Sequence, residues 1–234
     1  STTNFVVGDI SVTNGSLGTL SGSGKTFTAT LTPAAVGEAT VQVAADKFTD
    51  YHGNKNSASD VFNWTYQKAF ISTWTTTGSN ESITFPLAQN NYAGSANTIN
   101  MAVDWGDGST SDVTAYNDSD RIHTYATAGT HTVTITGTVQ GFRFANTGDK
   151  SKIASITTWG TFNVTNDKTF FGCSNLNITA DDSPTVSSTS LWQMFESCDA
   201  LTAIGGDNST SGGGWDVSNV VTFDAMFSNA DLFN

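Results

Sequence analysis

The chain has 234 residues and carries 21 Asp and Glu against 9 Lys and Arg, a formal net charge of −12 and a pI near 4.2. So acidic a balance excludes a nucleic-acid partner, because too few cations exist to neutralise a phosphate backbone, and it favours divalent cations from the medium. With only Cys173 and Cys198, no disulfide scaffold holds the fold. Of the 21 acids, 18 are aspartates, a residue that favours caps, turns and oxygen-rich cation sites over helix interiors. No run of about 18 apolar residues is present to span a membrane. The opening "STTNFVVGD" has the features of neither a signal nor a transit peptide. The composition leads us to expect a secreted, Thr-rich β protein from which any leader is already absent. Seven Asn-x-Ser/Thr sequons, at Asn14, Asn63, Asn80, Asn117, Asn163, Asn177 and Asn208, carry little weight in so Ser/Thr-rich a chain.

Residues 1–67 predict short strands at regular spacing. "ISVTNGSL" alternates into Asn14-Gly15, a hairpin signal. "KTFTATLTP" places Phe27, Ala29 and Leu31 on one face, "EATVQVAA" turns Val41 and Val43 inward, and "DVFNWTYQ" closes the segment. Strands of this length separated by Gly/Asn turns predict an antiparallel sandwich. Residues 68–140 predict a second β unit from "SITFPL", "INMAVDW" and "HTVTITGTV", with "TYATAGT" as a turn. From 141 to 234 one phrase recurs as "FFGCSNL", "MFESCDAL" and "MFSNADLF", headed by Phe171, Phe195 and Phe227. The cysteines then need a one-residue offset to align, and "GGDNSTSGGG" accounts for the longer second interval. A period in the twenties predicts a solenoid of β structure with short helices.

Three resemblances follow from these phrases. "VGDI", "SGSGKTFTATLTP" and "FTDYHGNKNSAS" resemble a bacterial immunoglobulin-like domain found in tandem in large secreted adhesins, over about 60 residues. That resemblance implies one or two further strands before "VGDI", so the sandwich is expected to be truncated with an exposed edge. "VDWGDGS" with "HTYATAGTHTVTITG" resembles the polycystic-kidney-disease (PKD) type of domain, on Trp105, Gly106, Asp107, Gly108, His123 and Tyr125. "WDVSNVVTFDAMF" resembles the leucine-rich-like repeats of bacterial surface proteins, of the DUF285/BspA-like kind, and implies a solenoid cut mid-array.

The chemistry is sparse. Asp104, Asp107 and Asp112 invite a catalytic or calcium reading, but their spacing is not that of an EF-hand loop, and a hairpin offers no cleft for a carboxylate pair. The simpler reading buries Trp105 and turns the chain at Gly106-Asp107-Gly108, which requires positive φ. Asp9, Asp46, Asp50 and Asn54 form the stronger calcium candidate, since the adhesin resemblance implies calcium at module junctions. Against it, Asp50 and Asn54 could simply shape the Gly53 turn. His52, His123 and His131 fall in no zinc spacing, and His123 is expected to hydrogen-bond the neighbouring hairpin. "GSGKTF" lacks the upstream glycine of a P-loop, and no serine sits in a nucleophile elbow. Cys173 and Cys198 read as a buried ladder of small side chains, although neighbouring coils could also bring them within bridging distance.

The expectation is therefore a non-enzymatic, mostly β segment of a secreted or cell-surface bacterial protein, serving adhesion, spacing or extracellular assembly. Partners would be a surface protein or carbohydrate ligand, with burial the default for Trp159, Trp192 and Trp215. Two alternatives stand beside it. One is an accessory module of a secreted hydrolase. The other is an assembly subunit completed by a neighbour's strand.

Overall fold

In the computed structural model, residues 2, 4–206 and 214–233 are described. Asn208 and most of the "GGDNSTSGGG" stretch lie outside them. Among the described residues the protein is mostly β, with two single turns of 3-10 helix (Val7–Asp9 and Ser119–Arg121) and no closed barrel. The chain divides into two units, Ser1–Gln67 and Lys68–Asn234.

The first unit contains β1 (Ile10–Thr13), β2 (Gly15–Leu17), β3 (Ser21–Ser23), β4 (Thr26–Thr28), β5 (Leu31–Pro33), β6 (Gly37–Val43) and β7 (Phe62–Tyr66). Its main sheet is β1-β6-β7, antiparallel throughout, with Val12 opposite Val41 and Ala39 opposite Trp64. Period-two alternation puts Ile10, Val12, Ala39, Val41, Phe62 and Trp64 on one face. The ribbons β2-β5 and β3-β4 complete the unit.

The expected hairpin at Asn14-Gly15 is not one. Strand β1 pairs with β6, whereas β2 pairs with β5. Asn14 sits at φ 48°, in the left-handed region its short side chain tolerates. Its amide donates to the carbonyls of Ala35 and Glu38 and accepts from the Ala35 N–H. The residue thus steers the chain from one pairing to the next. The two-residue hairpin turn lies at Gly24-Lys25 instead.

The second unit contains β8 (Phe70–Thr76), β9 (Glu81–Thr84), β10 (Asn100–Asp104), β11 (Thr110–Val113), β12 (Ile122–Tyr125), β13 (Gly129–Thr138), β14 (Ile153–Thr158), β15 (Asn163–Val164), β16 (Asn177–Ile178) and β17 (Thr185–Val186). A six-stranded sheet runs β11-β10-β13-β8-β14-β16, and β12-β9 and β15-β17 form separate pairs. The inner face carries Phe70, Trp74, Met101, Val103, Val133, Ile135 and Ile156, all buried. That core continues through Phe142, Phe144, Trp159, Phe162 and Phe170 to Leu201, so residues on both sides of position 140 share it.

A polar seam joins the same two stretches. Asn166 donates to the Asn90 carbonyl and accepts from Asn97, and Tyr92 N–H reaches the Thr165 carbonyl. Arg143 bonds buried Asp167 at 2.9 Å. The buried Asn166 amide and Asp167 carboxylate are tolerated here because they find partners.

Beyond residue 165, three backbone segments lie side by side. N–H groups of Lys168, Phe170 and Gly172 donate to the carbonyls of Trp192, Met194 and Glu196. Those of Gln193, Phe195 and Ser197 donate in turn to Asp224, Met226 and Ser228. The rings of Phe170, Phe195 and Phe227 stack with centroids 5.6 and 5.7 Å apart. Two residues before each ring the backbone is left-handed, at Lys168, Gln193 and Ala225, and again two residues after, at Gly172, Ser197 and Asn229. Phe170 therefore heads the first copy, not Phe171, which stays partly exposed. With that register Cys173, Cys198 and Ala230 align three residues on, Leu176, Leu201 and Phe233 six residues on, and no offset is needed.

Candidate functional site

A cluster of titratable side chains surrounds the turn between β10 and β11. Asp104 accepts from the Gly106 N–H, and Asp107 from the Ser109 N–H, so each carboxylate fixes its own turn. Gly106 is obligatory. Its φ is 79°, and a Cβ there would lie 2.2 Å from the Thr132 carbonyl oxygen. Buried Trp105 stacks on Phe85 on one side and His123 on the other. The Tyr125 hydroxyl donates to the Trp105 carbonyl at 2.9 Å, and the Trp105 indole N–H to Ser111 at 2.7 Å.

His123 meets the turn as expected. Its Nε2 lies 2.8 Å from Asp107 Oδ2 and 3.2 Å from Ser109 Oγ, and the Ser109 hydroxyl also donates to Asp107 Oδ1. The Ser109 bond, with His123 as a further contributor, holds the Asp107 pKa down at about 2. Ser, His and Asp are all present, but both partners address the same imidazole nitrogen. A relay needs the carboxylate on Nδ1 and the hydroxyl on Nε2, so this trio ties a turn and does not activate a nucleophile. His131, from β13, stacks on Tyr125 at 3.5 Å and bonds Thr76 Oγ1 at 2.9 Å. Burial lowers its pKa, with His123 adding to the effect and Asp107 opposing it.

The seven candidate cation ligands are not gathered into a site. Asp9 accepts from the Val6 N–H. Asp46 faces Lys55 at 3.4 Å. Asp50 and Asn54 do come together, with Asp50 accepting from the Asn54 side chain and from the N–H groups of Asn54 and His52. Those bonds shape the Gly53 turn and lower the Asp50 pKa, the Asn54 side chain first. Asp104 and Asp107 serve their own turn, and Asp112 stands on the outer face of β11 opposite Ala102. Among the described residues no three His, Cys, Asp or Glu side chains assemble as a metal site.

Two ion clusters were not anticipated. Lys152 lies 3.0 Å from Glu81 and 2.8 Å from Asp149, and Asp149 also accepts from the Thr84 N–H. Lys152, followed by the Thr77 and Gly78 N–H groups, holds the Glu81 pKa at about 2. Lys68 pairs with Asp182, whose two oxygens accept the N–H groups of Trp159 and Gly160. The Lys152–Glu81 and Lys68–Asp182 pairs each join residues 70 or more positions apart, and no local pattern announces them. Cys173 and Cys198 are free and buried. Burial raises both thiol pKa values, that of Cys198 to about 12. Of the tryptophans, Trp159 is buried, and Trp192 is partly exposed beneath Lys168, whose ammonium lies 4.1 Å above its ring.

A family model described as a bacterial Ig-like domain matches residues 1–66. A second, described as a Mycoplasma protein of unknown function, DUF285, matches residues 140–234. No curated protein and no solved structure matches the chain. An Ig-like domain together with a DUF285 domain fits a non-catalytic segment of a bacterial surface protein. Among the described residues no helix is long and apolar enough to cross a membrane.

Proposed function

We propose that this chain is an adhesion and spacing segment of a secreted, surface-exposed bacterial protein. The observation that carries the reading is the stacking of segments 168–172, 191–197 and 222–228 on one aromatic ladder. Repetition of that kind builds a solenoid, an extended surface suited to contact rather than to catalysis. In this reading residues 141–234 are leucine-rich-like repeats, 68–140 a PKD-like sandwich and 1–67 an Ig-like sandwich. The PKD-like assignment is supported by the Trp105–Gly108 turn locked under His123 and Tyr125.

The contact face we assign is the outer side of the six-stranded sheet. Exposed Thr130, Thr132, Thr136, Asp104 and Asp112 present hydroxyls and carboxylates there. Such a face can hydrogen-bond a protein or carbohydrate surface. Beads carrying the chain are expected to be retained on at least one protein- or polysaccharide-coated surface, and a Thr132→Glu/Thr136→Glu variant to be released from it. Retention no better than that of bare beads on every surface would refute the adhesive role.

A further inference from the structure

Strand β7 hydrogen-bonds only to β6 among the described residues, so its second edge is unpaired. An open edge is a template for another strand, and proteins usually guard it with lysine, proline or a bulge. The segment Val61–Tyr66, "VFNWTY", carries none of these and no charge. Its sheet-facing side is instead apolar and uncovered, with Phe62 59% and Trp64 40% exposed. Beside Phe62 opens a groove of about 310 Å³ lined entirely by apolar side chains, among them Phe5, Leu17, Phe27 and Leu31. In the whole first unit, Ala39 is the one hydrophobic residue fully buried among those described.

Charge indicates the occupant. Residues 1–67 contain three lysines against five Asp and Glu, a net −2, which leaves −10 of the total −12 on residues 68–234. Copies of the second unit repel one another, whereas the first unit offers a nearly neutral contact. We propose that β7 pairs with β7 of a second copy, antiparallel about a two-fold axis centred near Trp64. The pairing sets Phe62 opposite Tyr66 of the second copy and brings the two Trp64 side chains together on one face. It extends β1-β6-β7 into a six-stranded sheet and covers the mouth of the groove. Phe62 and Trp64 contribute roughly 200 Å² of aromatic surface per copy, well under the ~800 Å² per partner of a stable complex. The dimer is therefore weak and concentration-dependent. The inference rests on the first unit alone and stands apart from the adhesive reading of the outer sheet face.

Sedimentation velocity of the full chain, from low micromolar to submillimolar concentration, tests it. The wild type is expected to move from monomer toward dimer. A Phe62→Lys/Trp64→Lys variant should weaken association at least about tenfold, and Tyr51→Ser, an exposed aromatic away from β7, should leave it unchanged. Amide exchange supplies a readout that needs no variant: protection of residues 61–66 in the wild type should rise with concentration. A wild type that stays monomeric throughout, association that survives the double lysine change, or exchange at 61–66 that ignores concentration would each overturn the proposal.

Discussion

Adjacent phenylalanines at 170 and 171 offer a sharp test of the repeat register, because a reading of the recurring phrase alone picks the wrong one. Phe170 is fully buried and meets Phe195, Phe162, Trp159 and Phe144 with ring centroids 5.6, 5.8, 5.9 and 6.3 Å away. Phe170→Ala removes the ring and leaves a cavity that four aromatic neighbours cannot collapse to fill. The cost is about 4 kcal/mol, within the usual range for a buried Phe→Ala. For a unit of this size that lowers Tm by roughly 8–16 °C. Phe171 is only partly buried and lies outside the aromatic stack, so Phe171→Ala should cost about 1 kcal/mol, the transfer term for a half-covered side chain. Thermal unfolding followed by circular dichroism and tryptophan fluorescence reads both variants, since Trp159 packs directly on Phe170. Equal losses, or a larger loss at Phe171, would refute the ladder register and with it the alignment of Cys173, Cys198 and Ala230.

Three further outcomes are expected. The depressed Asp107 pKa means its stabilising bonds to Ser109 and His123 are fully present above the ordinary aspartate value near 4 and are lost as pH falls toward 2. Urea midpoints measured across that window should decline in the wild type and decline less steeply in Asp107→Asn, whereas parallel slopes would show that the turn does not use this carboxylate. A thiol-reactive disulfide reagent should label neither Cys173 nor Cys198 in the native state and both after unfolding, and reductant should leave Tm unchanged; fast native labelling would contradict their burial. Calcium and a chelator should give the same Tm, since a cation bound only to the folded state would raise it; a reversible gain of several degrees would mean that the candidate carboxylates converge on an ion after all.

Much of the strand content was legible because alternation is a local signal. "HTVTITGTV" and "INMAVDW" became β13 and β10, with Val133, Ile135, Met101 and Val103 inward. The Trp105–Gly108 turn was legible for the same reason, since glycine at positive φ and aspartate capping its own turn act within five residues. Asn14-Gly15 misled because the chemistry of a left-handed asparagine is the same in a hairpin as in a bend between sheets. Only the pairing partners, 14 or more residues away, decide between them. Phe171 misled because two phenylalanines in a row satisfy the same phrase. The downstream leucines at 176 and 201 held the missing register. The Lys152–Glu81 and Lys68–Asp182 pairs join segments far apart in sequence, and one-chain pattern reading has no handle on such contacts.

The entry point of the second unit has a mechanical consequence. The chain passes from Lys68, anchored by Asp182, straight into β8, the strand that lies between β13 and β14. Gly160 closes over this entrance so tightly that a Cβ would fall 2.1 Å from the Ala69 carbonyl oxygen. Tension applied at residue 68 therefore pulls along β8 and loads its seven residue pairs with β13 in shear, all together. An edge strand would unzip one bond at a time. A central strand gripped on both sides holds until many bonds fail at once, so survival under load is set by a slow unfolding rate rather than by equilibrium stability.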